Sequence, residues 1–289
     1  MTAKIDVGCL KRRAEVVSAV RAFFDGRGFV EVETPVRIAA PAPEPHIDCP
    51  EVPSRSGRSY LRASPELQMK KLLAAGMERI YQIGPCFREG EKGSRHNPEF
   101  TMMEWYRHGA DYLEMMDDLE ALFRMLDARF GNGERSDGRF MRMAVRDAYR
   151  KVAGWDPWEA WDQDRFDIDM ATKIEPSLNG AVFLMDYPPQ AASLAKLRGD
   201  VAERWELYVD GMELANCFTE LCDPVEQRRR FDEAREERRR IGEADYPVDE
   251  DFLDALGSVG SAAGVALGMD RLMMVLFGAK SIEEVRVMG

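Results

Sequence analysis

Two glutamates, Glu206 and Glu213, flank an Asp210-Gly211 pair within "RWELYVDGMELANCF". Asp-Gly is a favoured two-residue hairpin turn, and such a turn pairs Val209 with Met212 and Tyr208 with Glu213. Glu206 then becomes the diagonal neighbour of Glu213 on the same face, about 7 to 8 Å away. Two carboxylates at that reach can grip one hard cation, and Mg²⁺ held by one or two carboxylates plus substrate phosphates is the usual arrangement in nucleotide sites. Taken alone, the pair is more often just two exposed strand glutamates.

Three further stretches carry chemistry. Arg88 ends the apolar run "RIYQIGPCFR", and Arg95 and His96 sit in the charged loop that follows. The planar fork of arginine suits phosphate oxygens, and a loop with several such donors can close over a triphosphate. In "GVALGMDR" the glycines let a ligand approach backbone, and Arg271 falls at a helix start, where the helix dipole also favours an anion. Finally, "RHNPEFTMMEWY" (95–106) alternates Phe100, Met102, Glu104 and Tyr106 on one face with Thr101, Met103 and Trp105 on the other. Neither face is plainly solvent. A carboxylate and a phenol are therefore expected to be buried together, with the carboxylate unpaired until a cation arrives.

The elements that must position these groups are legible. Val16, Val17, Val20, Phe23 and Phe24 stand at helical spacing in 11–24, stopped by "DGRG". "FVEVETP" alternates as a half-exposed strand. The Pro-rich "AAPAPEPH" at 39–46 reads as an ordered surface loop. Ser64 as N-cap, Pro65 at the first helical position and Gly76 as a stop bound a helix that carries Glu66 in its first turn. Residues 79–88 and the strand above form a hairpin around a long polar loop. Residues 112–130 and 226–240 are helical; the latter, "EQRRRFDEAREERRR", reads as a solvated helix laced with opposite charges rather than an RNA-binding patch. The C-terminal segment runs from a strand into a helix near Asp270. The whole is an α+β fold, mainly antiparallel β-sheet flanked by helices, with no clear domain boundary.

Composition narrows the function classes. The 289 residues carry a net charge of −12, which disfavours a broad nucleic-acid surface but not a small phosphorylated ligand. No segment reads as a signal peptide or a membrane span, so a cytoplasmic protein is expected. Five cysteines without CxxC spacing and three histidines point to neither a disulfide framework nor a zinc site.

Taken in order, "SPELQMKKLL", "FREGEKGSRHNPEFTMMEWY", "GMELANCFTEL" and "ALGMDRL" resemble the catalytic core of class II aminoacyl-tRNA synthetases, including their motifs 1, 2 and 3. The likeness is closest to the lysyl-tRNA synthetases and covers about residues 10 to 285. Motif 1 begins almost at residue 11, so residues 1–289 are expected to form a single catalytic domain without an N-terminal anticodon-binding OB-fold. A chain of that kind resembles the stand-alone paralogues, the elongation factor P lysine ligases.

The resemblance implies the rest. ATP would be the co-substrate and Mg²⁺ the metal. Arg88 would hold the α-phosphate and Arg271 the γ-phosphate, as the two catalytic charges. Phe100 would stack on adenine, while Glu89, Glu91, Arg95, His96, Asn97, Glu213, Leu214 and Gly268 would line the nucleotide site. Glu206 and Glu213 would hold the metal. Ser64, Pro65 and Glu66 would border the amino acid, Glu66 at its amino group. Glu104, Tyr106 and Glu220 would hold its far ammonium, with Asn216 toward the carboxylate and Ala266 beside them. An aspartate-type relative would need a cationic residue there instead.

The implied activity is formation of a lysyl or (R)-β-lysyl adenylate and transfer to a lysine of elongation factor P. The alternatives are transfer to tRNA or another amine, or a non-catalytic synthetase-like binding protein. A homodimer through the first helix and strand is implied, and no membrane or tRNA partner is expected. Three departures from the family pattern stand out. Gly90 replaces the usual motif 2 glutamate between Glu89 and Glu91, Ala266 stands where lysyl-tRNA synthetases have glycine, and 162–180 is shorter than in the ligases, so that side of the site is expected to be more open.

Overall fold

The alternating runs become the spine of a nine-stranded sheet. A computed structural model describes residues 6–55, 57–133 and 138–287. Its strands are β1 (Val30–Glu31), β2 (Arg37–Ile38), β3 (Glu51–Ser54), β4 (Gly57–Leu61), β5 (Arg79–Phe87), β6 (Glu99–His108), β7 (Met141–Ala144), β8 (Ala181–Tyr187), β9 (Leu197–Arg198), β10 (Val201–Val209), β11 (Met212–Thr219) and β12 (Ala262–Gly268). The large sheet runs β1-β5-β6-β12-β11-β10-β8-β7, with β9 added on β10, and β2-β4-β3 form a small second sheet. The pairs from β5 through β8 are antiparallel. Among the described residues, only the outer pairs β1–β5 and β7–β8 are parallel. This is the α+β arrangement expected from the sequence.

One face of the sheet is fully covered. Met103 and Trp105 of β6, Val265 and Leu267 of β12, Cys217 of β11 and Trp205 and Leu207 of β10 point into a core shared with three helices, Val7–Asp25, Tyr112–Phe130 and Met269–Phe277. The first helix opens on Asp6, whose side chain accepts from the Cys9 N–H at 3.1 Å. The second opens on a reciprocal capping box between Asp111 and Glu114. A buried carboxylate, Asp270, ties these layers together: it pairs with Arg13 at 2.6 Å and accepts from the Thr101 backbone N–H at 2.8 Å. It thereby fixes the helix that begins at Met269 against both β6 and the first helix.

Several expectations need adjusting. "FVEVETP" yields only the two residues of β1, because the chain leaves the sheet and Thr34 instead bonds the Gln82 side chain through its N–H and hydroxyl, at 3.1 and 2.9 Å. The helix after Pro65 runs Glu66–Ala74, one residue later than expected, and Ser64 Oγ accepts from the Glu66 N–H at 3.0 Å. The short region 162–180 is a string of helical turns, Gln163–Asp169, Met170–Ile174 and Glu175–Ser177. All five cysteines are free thiols. No helix among the described residues is long and apolar enough to cross a membrane.

The charged helix, Pro224–Ile241, is only partly the solvated rod its composition suggests. Its ion pairs are there, such as Arg229 with Glu226 at 2.7 Å. Yet Arg238 is 0% exposed and stacks on the Tyr246 ring at 4.3 Å. Its guanidinium donates to the carbonyls of Glu44 (2.7 Å), Ile47 (3.0 Å) and Ala244 (2.7 Å) and pairs with Asp48. A single buried arginine therefore knots the Pro-rich loop to this helix. Arg238→Met removes every one of those donors while keeping the bulk, and is expected to destabilise the protein by about 2–4 kcal/mol. Urea denaturation would reveal it; a shift below about 0.5 kcal/mol would mean that the knot holds nothing.

Candidate active site

The other face of the sheet lies open in the middle and forms the floor of a cavity of about 280 Å³. Phe100, Met102, Glu104 and Tyr106 of β6 face it, as do Gly264, Ala266 and Gly268 of β12 and Arg204 and Glu206 of β10. Period-two alternation explains each of these sets.

On β11 alternation fails in an informative way. Glu213 and Asn216 both line the cavity although they are three residues apart. The Asp210-Gly211 turn has φ of 50° and 72°, as the hairpin requires, and pairs Val209 with Met212 and Tyr208 with Glu213 as expected. The register then shifts, so Leu207 pairs with Ala215 and Glu206 with Asn216, leaving Leu214 as a bulge. One extra residue flips the parity of the strand. Asn216, Phe218 and Glu220 thus join Glu213 and Glu206 on one face.

At one end the cavity is built for cations. Glu66, Glu104 and Glu220 converge there with Tyr106. Glu104 is not unpaired, as the sequence suggested: it accepts from the Ser64 hydroxyl at 2.6 Å and the Tyr106 hydroxyl at 2.8 Å. Burial, with Glu66 adding to it, still pushes its carboxyl up to about 7. Burial likewise lifts Glu220 to about 8, although the Lys70 ammonium pulls the other way. Lys70, 1% exposed, bridges the set from behind, bonding Glu66 at 2.6 Å and pairing with Glu220. Gly264 makes room: a Cβ there would lie 2.2 Å from the Tyr106 ring and 2.6 Å from Glu220 Oε1.

The other end is built for anions. Arg88 packs its guanidinium 5.2 Å from the Phe100 ring centre and reaches Glu91 at 3.4 Å. Its Nε is enclosed without any acceptor, a donor left for a ligand. Arg271 donates to the Glu213 backbone carbonyl at 3.0 Å and to its carboxylate at 3.2 Å, and also contacts His96 Nε2 and the Arg95 carbonyl. His96 Nε2 is the acceptor in that contact, since a guanidinium only donates, and burial together with the neighbouring Arg271 lowers its pKa. Glu206 is held by Arg204 at 2.6 Å and by the hydroxyls of Tyr187 (2.6 Å) and Tyr208 (2.7 Å). Burial, and then Glu206, raise the Glu213 carboxyl. Two carboxylates facing one cavity and repelling each other fit a divalent cation.

The structure brings all the expected site residues to this cavity except two. Pro65 is buried behind it, where it starts the helix of Glu66. Glu89 is exposed and points away, because its N–H is bonded to the Asp48 carbonyl and Gly90 turns the chain at φ 75°. Of the two glutamates, Glu91 is the one that lines the cavity beside Arg88. Sequence reasoning missed Arg204, Phe218 and Gly264, which alternation could have found, and Glu44 and Ser193, which reach the cavity from loops and carry no such signal. It also missed Lys70, one turn after Glu66 on the same helix face.

Glutamates at one end and arginines at the other, on one antiparallel sheet, are the arrangement that the resemblance led one to expect, and comparison with known proteins bears on the family. The family described as "tRNA synthetases class II (D, K and N)" matches residues 7–288. The chain is 37% identical over 303 residues to the elongation factor P–(R)-beta-lysine ligase of Proteus mirabilis, covering 96% of this chain and 93% of that one. It is 36% identical to the enzyme of the same name from Vibrio cholerae, with the same coverage. It is 34% identical to the lysine–tRNA ligase of Dehalococcoides mccartyi, covering 94% of this chain but 62% of that protein. On this evidence, the chain belongs to the class II tRNA synthetase family of the D, K and N type.

Proposed function

We propose that this protein is an ATP-dependent ligase that activates (R)-β-lysine or lysine as an adenylate and passes it to a lysine side chain of elongation factor P, in the cytoplasm. The observation that carries this reading is the polarity of the cavity. Glu66, Glu104 and Glu220 gather at one end, and Arg88, with an unused donor, and Arg271 gather at the other. A substrate with ammonium groups and a carboxylate fits across it, the carboxylate toward the arginines. The relatives that the chain matches along nearly their whole length bear the name of that ligase. Ala266, in place of glycine, lines the amino-acid side, and its methyl suits a substrate whose amino group is displaced by one carbon.

Activation requires little acid–base chemistry. A carboxylate oxygen of the amino acid attacks the α-phosphorus in line, and pyrophosphate leaves. Arg88 stabilises the charge on the α-phosphate, and Arg271, held by Glu213 and His96, receives the far phosphates. Glu206 and Glu213 would hold Mg²⁺, which supplies neutralising charge to the phosphates when bound. The rate advantage then comes from fixed geometry and preorganised charge.

The direct test is amino-acid-dependent ATP–pyrophosphate exchange with lysine and both β-lysine enantiomers, followed by mass spectrometry of co-incubated elongation factor P. Exchange and a matching mass increment are expected; sustained charging of tRNA without protein modification would replace this reading with the tRNA ligase one. Glu220→Gln removes one charge from the ammonium pocket and is expected to raise the amino-acid KM by about 100-fold while ATP binding holds. Unchanged exchange kinetics would refute the pocket assignment.

The raised carboxyls also set a pH dependence. With Glu104 near 7 and Glu220 near 8, the empty pocket holds protons that a bound ammonium must expel. Protonation favours the empty folded state, so the stability these groups contribute is full below their ordinary value of 4.5 and is lost progressively as pH rises from there through 7 to 8, where ligand protection is greatest. The amino-acid KM in exchange should therefore rise as pH falls, up to about tenfold from pH 8 to 7 and up to about 100-fold for each unit below 7, where both carboxyls carry protons. A KM independent of pH between 6 and 8.5 would show that the pocket carboxyls are already ionised.

A further inference from the structure

A second cavity, of about 950 Å³, adjoins the first. The two share Glu44, Ser193, Arg204, Glu206 and Glu213. One wall is the helix Pro224–Ile241, whose dense charge has no task in the adenylate site; another is the short helical string around Gln163 to Glu175. Eight carboxylates and four guanidiniums line it. The guanidiniums are already engaged: Arg229 with Glu226 at 2.7 Å, Arg230 with Glu226 at 2.9 Å, Arg240 with Glu237 and Arg204 with Glu206. The surplus negative charge attracts an ammonium and repels a polyanion.

Transfer chemistry needs such a route. The amino-acid end of the first cavity is closed by Tyr106 packed on Gly264, with Lys70 behind. The wall shared with the second cavity offers a path to an adenylate from another side. We propose that the second cavity is the acceptor's entry groove, and that its occupant is a lysine-bearing loop of a protein rather than the end of an RNA. This rests on the functional reading above and adds the path and the recognition element. The acceptor ammonium sheds one proton to become a nucleophile, its nitrogen bonds to the adenylate carbonyl carbon, and the carbon–oxygen bond to phosphate breaks as AMP leaves. A second proton departs as the amide forms. Glu44, on the shared wall, passes these protons to solvent.

Glu233 and Glu237 lie on the groove wall and outside the first cavity. The test is the double variant Glu233→Lys with Glu237→Lys, assayed for pyrophosphate exchange and for transfer to elongation factor P. Exchange should hold within about twofold, which also reports an intact fold, while kcat/KM for the protein acceptor falls at least about tenfold, mainly through KM. Added salt should weaken transfer by the parent protein far more than exchange. Equal transfer by parent and variant, or equal loss of exchange and transfer, overturns the groove while leaving the functional reading in place. A parent that exchanges pyrophosphate yet modifies no protein sinks the functional reading and the named occupant with it. A variant that gains tRNA charging would make the groove an RNA path.

Discussion

Three carboxylates crowd one buried pocket, and a single lysine makes that tolerable. Isolated buried charges cost several kcal/mol each, and like charges raise one another's pKa values. Lys70 offsets part of this by bridging Glu66 and Glu220 from the helix Glu66–Ala74, while Ser64 and Tyr106 supply hydroxyls to Glu104. The helix, the strand β6 and the end of β11 are thereby held at fixed spacing. What remains is a site with more acid than it can satisfy by itself. Burial leaves the Glu104 and Glu220 carboxyls raised, so the ammonium of a ligand would supply the positive charge that Lys70 alone does not.

The anion half depends on a different tie. Arg271 lies in the first turn of the helix Met269–Phe277, next to Asp270, which is locked to Arg13, Arg286 and the backbone of Thr101. The guanidinium is thus fixed in place before any phosphate arrives. Its contacts with His96 and the Arg95 carbonyl bring the loop between β5 and β6 across the cavity. That long polar loop is held by the same arginine that it helps to position. Preorganisation of this kind suits a reaction whose protein contribution is chiefly electrostatic.

Much of this was legible in the sequence wherever a regular period governed the chain. The faces of β6 and β12, the Asp210-Gly211 turn and the helices at 7–25 and 112–130 follow from alternation, turn chemistry and helical spacing. The placing of Arg88, Glu91 and Glu220 in the cavity was expected from motif resemblance alone, because no local pattern says what a carboxylate will meet across the sheet. Glu44 and Ser193 were invisible because loops have no period. Arg238 was misread for a related reason: in a run of charged residues, nothing local marks the one position that faces an unrelated loop. Glu89 failed by one residue, where Gly90 turns the chain and sends only Glu91 inward.

The bulge at Leu214 has a consequence for how the chain finds its fold. In an ordinary hairpin, a slip of two residues preserves which side chains share a face, so misregistered pairings compete with the native one. Here the two sides of the bulge have opposite parity. A slipped β10–β11 pairing that kept Asn216, Phe218 and Glu220 inward would swing Glu213 toward the apolar core, and the converse slip would bury Glu220 there. Either mistake inserts a carboxylate among Trp205, Leu207 and Cys217. The two ligand pockets are therefore set in register by a single inserted residue, which penalises wrong pairings as strongly as it permits the right one.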